Sequence, residues 1–373
     1  EKKDAQMRAL ERAVQIVQGE KSPEPCLAFK RTQKNDKTRL VWGFPYSMTV
    51  IEGLVAFPLN ENLKSLSTPM AYAITSMSLG SKLRTGSRKK KFCYSLDMSQ
   101  FDASISAYLI NVSFSIIKSW FDLDQLEPTT GATVNDIFDI IVRYFITTPI
   151  VMPDGNVYKG KRHGVPSGSY FTQIVDSIVN VILCGAISHR FNLGVNKRDL
   201  MVLGDDLLFF SNRKVSLNAI SEFAKRNLGI KVHGSEKSEI YSSGDTIHFL
   251  GRYWHNGQPD LPIDEIVAKM VYPESYRRYS SDPKTRAQQV RLLLMSYAST
   301  YRSAWRIAER EINPNAGNVR RGELPIDTAV YIRSLDQELR EIDPTMLSGL
   351  ARYRMIYHHD DNANSPFSGG QYL

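Results

Sequence analysis

The sequence predicts an α+β fold, and three observations carry that prediction. Residues 201–210 read Met-Val-Leu-Gly-Asp-Asp-Leu-Leu-Phe-Phe, two acids flanked on both sides by apolar, β-prone residues. This is the pattern of a buried hairpin with carboxylates at its turn. Phe92–Leu96 is a second apolar run, and it too leads into an acid, Asp97. Beside these strands lie apolar positions at helical spacing: Ile105, Leu109, Ile110, Phe114 and Ile117 share one helix face. A chain of 373 residues is too long for one simple core, so two or three subdomains are expected.

The elements follow in order. A basic helix over Met7–Val17 leads to a cationic run, Lys30–Arg39, beside an apolar strand, Leu40–Gly43. Asp97 ends its strand, and Asp102 opens the helical pattern that follows, where it also fits an N-cap. Val134–Thr147 is strongly apolar and helical, and Pro153-Asp154-Gly155-Asn156 marks a hairpin turn. Gly164–Gln173 holds one proline and two glycines, a tight loop that can approach a phosphodiester closely. Tyr170–Ile187 reads as a buried helix, and Leu217–Leu228 as a helix stopped by Gly229. Residues 242–245 form a turn and Pro259–Pro262 a linker. Beyond it the pattern is helical. Asp282-Pro283 opens an arginine-rich helix through Ile312, and Ile326–Glu341 and Thr345–Tyr357 add two more before a polar tail from His358.

Composition narrows the partners. A net charge of +8 and a pI near 9.2 favour a polyanion, without separating nucleic acid from an acidic membrane surface. No apolar run reaches the ~18–20 residues of a spanning helix, so no membrane association is expected. Glu1–Leu10 lacks the apolar core of a signal peptide. Cys26, Cys93 and Cys184 read as reduced core residues of a non-secreted protein, and no Cys/His spacing suggests zinc.

Carboxylates beside apolar strands are costly to desolvate and call for a compensating charge. A divalent metal supplies it, and Mg²⁺ takes carboxylate oxygens together with substrate phosphates. One Asp-Asp turn says little. An acid at the end of one strand and acids at a hairpin turn say more, because Asp97 and Asp205 together can hold two cations for in-line phosphoryl transfer.

The ordered set Asp97-x4-Asp102, Ser167-Gly168-x3-Thr172 and Gly204-Asp205-Asp206 resembles motifs A, B and C of viral RNA-dependent RNA polymerases. Lys37-Thr38-Arg39-Leu40-Val41-Trp42-Gly43 resembles motif F, Gly229 through Lys237 motif D, and Phe249–Tyr253 motif E. The wording is most similar to double-stranded RNA viruses of the partitivirus type, over about Arg31 to Glu274. The resemblance implies a right-hand polymerase fold: fingers over 1–91, palm over 92–120, a fingers insertion over 121–163, palm again over 164–257, and a helical thumb and tail over 258–373. Family members usually run longer at the amino end, so part of the fingers is expected to lie outside this sequence. Arg84–Lys91 then fits a template contact and a solvated face equally well. Thumb arginines such as Arg286, Arg291 and Arg306 could track duplex phosphates.

The resemblance implies template-directed RNA synthesis. Asp97 and Asp205 would hold two Mg²⁺, Mn²⁺ being the alternative, with Asp206 a supporting ligand. Arg39 and Lys37, and more weakly Arg31, would steady the triphosphate. Ser167 and Gly168 belong to the substrate-facing loop. Lys237 would be the general acid for pyrophosphate, with Lys231 the runner-up. The implied partners are template RNA, nascent RNA, NTPs and a viral capsid protein, and the implied places of action are the virion interior and the host cytoplasm.

Sugar choice follows from chemistry. A carboxylate at Asp102 accepts a hydrogen bond from a 2′-hydroxyl, and an unpaired carboxylate would penalise a deoxynucleotide. Where many positive-strand relatives place an asparagine, this chain has Asp176, and Asn180 comes one helical turn later. Two bare carboxylates would repel, so Asn180 or a main-chain group is expected to donate to Asp102, with Asp176 turned toward a cation or Thr172. Two other readings remain open: a reverse transcriptase, disfavoured by Gly204, Asp102 and the Ser-Gly loop, and a catalytically silent RNA-binding protein, disfavoured by the intact acids.

Overall fold

The computed structural model describes residues 2–32, 38–271, 297, 301, 303 and 304. Lys37 lies outside the described residues, as do Arg286, Arg291, Arg306, the helices expected over Ile326–Glu341 and Thr345–Tyr357, the tail, and nearly all of the arginine-rich helix before them. The chain forms two compact units. The larger holds residues up to Ile74 and Gly86–Ser243; the smaller holds Thr75–Thr85 and the described residues from Gly244 onward.

The larger unit opens with α1 (Lys2–Val17), β1 (Cys26–Thr32), β2 (Thr38–Gly43) and α2 (Tyr46–Ser65). The helix α3 (Ser76–Lys89), which carries the basic cluster and belongs to the smaller unit as far as Thr85, precedes β3 (Phe92–Leu96). Next come α4 (Phe101–Ser104), α5 (Ala107–Lys118), α6 (Val134–Thr147), and the short strands β4 (Ile150–Val151) and β5 (Val157–Tyr158). Then follow α7 (Thr172–Phe191), β6 (Leu200–Leu203), β7 (Asp206–Ser211), α8 (Leu217–Leu228) and β8 (Glu239–Ser242). The smaller unit has the meander β9 (Ile247–Phe249), β10 (Arg252–His255) and β11 (Gln258–Asp260), followed by α9 (Ile263–Val271).

Local chemistry explains several boundaries. Thr133 and Asp136 form a reciprocal capping box at the start of α6, a device contributing about 1 kcal/mol. Gly229, at φ 70°, closes α8 in the left-handed conformation. Asp154 accepts from the Asn156 backbone at 3.0 Å and so shapes the turn between β4 and β5.

The sheet that positions the site is antiparallel, in the order β6-β7-β3-β8. Leu207–Phe210 are buried along β7, and Tyr94 of β3 stacks on Phe209 with ring centroids 4.7 Å apart. Leu96 lies opposite Leu207, so the register sets Asp97, one residue on, beside Asp206. A second sheet runs β2-β1-β4-β5, with β4 parallel to β1. Residues 121–163 thus return to the amino-terminal elements, and α6 packs on α2 and α1.

Four expectations are corrected. Asp102 neither opens one continuous helix nor caps it: α4 ends at Ser104, Ile105 is extended at φ −66° and ψ 121°, and Ser106 caps α5. The break arises because a distant loop takes the carbonyls there: Val165 N–H donates to Asp102 O at 2.8 Å and Gly164 N–H to Ile105 O at 2.7 Å. Pro259, read as linker, sits inside β11. It is tolerated because β11 is the edge of its sheet. The 20 residues of α7 are long and apolar enough to span a membrane, contrary to the sequence reading. Ten of them, however, are buried in the protein's own core. The fourth correction concerns Asn180 and is taken up with the site.

Candidate active site

The acids assemble from three elements. Asp97 follows β3, and its backbone is fixed from both sides: its N–H donates to Ser238 Oγ at 3.1 Å, and its carbonyl accepts from His233 N–H at 2.8 Å. Asp205 and Asp206 occupy the β6–β7 turn after Gly204, whose φ of 60° favours glycine. That turn is held from α7. Ser177 Oγ accepts from Gly204 N–H at 2.9 Å, and Asn180 Nδ2 donates to Gly204 O at 2.7 Å.

Asn180 therefore braces the acid turn and does not donate to Asp102. Removing its amide, as in Asn180→Ala, leaves the partly buried Gly204 carbonyl without that donor. The expected cost is about 1–3 kcal/mol, read from urea unfolding. An unchanged midpoint would mean that the brace carries no load.

All three acids have exposed side chains, yet the protein around Asp206 still strips water from it. This desolvation, with Asp205 and Asp97 adding repulsion, pushes Asp206 up to about 7. Among the described residues, no group of three or more His, Cys, Asp or Glu converges closely enough to hold an ion alone. Mg²⁺ does not require that, since it is commonly held by one or two carboxylates plus substrate phosphates and water. An all-oxygen donor set with unrelieved mutual repulsion fits such an ion.

Asp102 sits on α4, after Gln100 in the left-handed conformation at φ 52°. Its carboxyl is pushed up by desolvation and by Asp205, and drawn back by Arg39 and by a hydrogen bond with Asp176. Asp176, buried on α7, is pushed well above the carboxylate range by burial, then by the charges of Asp102 and Asp205. Burial and like charge favour the neutral form, most strongly at the more deeply buried Asp176, and a neutral Asp176 donates to Asp102 as the acceptor. Asp176 meets Asp102, not the Thr172 hydroxyl. The Thr172 hydroxyl is engaged elsewhere, donating to Pro166 O. One oxygen of Asp176 and the amide oxygen of Asn180 are buried without a hydrogen-bond partner.

Arg31 and Arg39 lie directly opposite each other across β1 and β2, both exposed. Lys237 Nζ reaches His233 Nε2 at 3.3 Å, and His233 Nδ1 faces Glu236 Oε1 at 3.2 Å. The Lys231 carbonyl accepts from Ser99 N–H at 2.8 Å. Ser167 Oγ accepts from Trp42 N–H at 3.0 Å. Gly168 is required sterically: a Cβ there would lie 2.5 Å from Trp42 O.

The family model for viral RNA-dependent RNA polymerases matches residues 25–305. The chain belongs to that family. Over 275 residues the chain is 32% identical to the RNA-directed RNA polymerase of Cryptosporidium parvum virus 1, covering 65% of this chain and 49% of the relative. It is 23% identical over 312 residues to that of White clover cryptic virus 1, covering 75% of this chain and 50% of the relative. Both are polymerases of double-stranded RNA viruses of the partitivirus type. This chain thus spans about half the length of each. The crystal structure of a human picobirnavirus RNA-dependent RNA polymerase superposes with a TM-score of 0.64 at 18% identity, covering 88% of this chain and 63% of that one. The shared fold is that of viral polymerases.

Three contributors escaped sequence reading: Ser177, Ser238 and Glu52. The serines gave no signal, because each acts through a contact made only on folding. Glu52 did give one, as a lone acid in the apolar run Val50-Ile51-Glu52-Gly53-Leu54-Val55. Such an acid, once buried, needs partners.

Proposed function

We propose that the protein is a template-directed RNA polymerase of right-hand architecture, replicating and transcribing a double-stranded RNA viral genome. The observation that carries this is the meeting of Asp97, Asp205 and Asp206 at one sheet end, in a chain of this family. Elements around β3 and β6–β8 would be palm, the β1–β2–β4–β5 sheet with its helices fingers, and the segment from 258 thumb. Mg²⁺, or Mn²⁺ in its place, would be held by Asp97 and Asp205 with Asp206 in support. When bound, it supplies charge neutralisation on the phosphates and a lower pKa for the attacking hydroxyl.

The chain's own residues orient the reaction. The 3′-oxygen of the nascent strand displaces pyrophosphate in line from the α-phosphorus of the incoming NTP. Arg39, with Lys37 and Arg31, steadies the triphosphate by bidentate contact. Asp102, acceptor of the Asp176 proton, reads the 2′-hydroxyl. Ser167 and Gly168 present backbone to the new base pair, and Lys237 delivers a proton to pyrophosphate. The virion interior and host cytoplasm, with a capsid protein as partner, are the setting this reading implies.

Incorporation of labelled NTPs on a defined RNA template, with and without Mg²⁺, tests the proposal. No metal-dependent incorporation would favour a silent RNA-binding protein, and a preference for dNTPs would favour a reverse transcriptase. Arg39→Ala should raise the KM for NTPs about ten-fold, the worth of one charge-assisted hydrogen bond, with a smaller effect on RNA affinity. If RNA affinity collapsed while KM held, the β1–β2 arginines would be a template contact instead.

A further inference from the structure

Behind the loop that carries Ser167 and Gly168 stands a carboxylate with no part in the chemistry above. Glu52, on α2, is 1% exposed. Its two oxygens accept from consecutive loop residues: Oε1 from Ser169 Oγ at 2.7 Å and Oε2 from Tyr170 N–H at 2.8 Å. At its other end the same loop is tied to α4, through the bonds from Val165 N–H to Asp102 O and from Gly164 N–H to Ile105 O. The loop is thus a strap with Glu52 at one end and the backbone of Asp102 at the other.

A buried carboxylate is a costly anchor for a loop. Burial pushes Glu52 up to about 7, against the hydrogen bonds from Ser169 and Tyr170 that pull it down. In the fold its charged form is therefore disfavoured. Stability present at low pH is lost as pH rises from the ordinary glutamate value toward 7. A neutral side chain would serve the core better, so what Glu52 supplies is geometry: two acceptors aimed at two successive donors.

We propose that Glu52 is a positioning residue that sets the preference for ribonucleotides, by fixing the Gly164–Tyr170 loop and, through it, the α4 segment that carries Asp102. This rests on the polymerase reading above. Glutamine keeps one acceptor and turns an NH₂ toward the second donor; leucine removes both acceptors.

The test uses E52Q and E52L in the full chain, with two readouts. The ratio of NTP to dNTP incorporation should fall about ten-fold in E52Q and further in E52L, with RNA affinity unchanged. Hydrogen exchange at the Tyr170 amide should quicken about ten-fold or more in both. At pH 8, E52Q should melt no lower than wild type, which separates positioning from a packing role. An unchanged NTP/dNTP ratio in both variants overturns the proposal, as does unchanged exchange at Tyr170. A wild-type chain that incorporates no nucleotide overturns the polymerase reading instead, while exchange at Tyr170 still decides whether Glu52 holds the loop.

Discussion

Asp205→Ala is expected to abolish nucleotide incorporation, by about a thousand-fold or more, without lowering stability at pH 8. The loss follows from removing one of the two acids proposed to hold metal. Neutralising charge on a transferring phosphoryl group is worth several kcal/mol, and each 1.36 kcal/mol is a factor of ten in rate. The stability half follows from Asp206, pushed up to about 7 by burial, Asp205 and Asp97. Its charged form is disfavoured in the fold, so stability falls as pH rises from the ordinary aspartate value toward 7. Deleting Asp205 removes one source of that repulsion. Incorporation assays, RNA filter binding, and urea titrations at pH 5 and pH 8 would read the three quantities separately. Near-normal activity in this variant would sink the two-metal assignment.

Asp102→Ala should reduce the preference for NTP over dNTP by roughly 1–3 kcal/mol, the penalty of losing a buried hydrogen-bond partner. Its neighbour sharpens the test. Burial favours the neutral, donating form of Asp176, so Asp176→Asn keeps a donor toward Asp102 and should retain most of the preference. Asp176→Leu removes the donor and should lose it. An NTP/dNTP ratio that is the same in Asp102→Ala as in wild type would refute the assignment. So would an Asp176→Asn variant as unselective as Asp176→Leu.

What the sequence revealed depended on range. The strands ending in Asp97 and the hairpin turning at Asp205 were legible because alternation, burial and turn chemistry are local. For the same reason α6 and α8 have the bounds their apolar spacing predicts. The break at Ile105 was not legible, since it is imposed by Gly164 and Val165, some sixty residues downstream. Nor was the task of Asn180. Its place one turn after Asp176 suggested the sugar, but folding brings the Gly204 carbonyl within 2.7 Å of its amide. Pro259 signalled a linker because a proline cannot donate to a ladder, and only the sheet order places this strand at an edge among the described residues.

One helix carries partners of both proposed sites, the sugar reader and the acids. Asp176 and Ser177 are adjacent on α7, and Asn180 lies one turn on. The first hydrogen-bonds the proposed sugar reader; the other two hold the turn of the acids. Because these positions ride on one rigid cylinder, a shift in its register by a single residue would turn all three by about 100° together. If Asp102 reads the sugar and the acids hold metal, drift along this helix disturbs both at once, and neither site can be adjusted from α7 without moving the other.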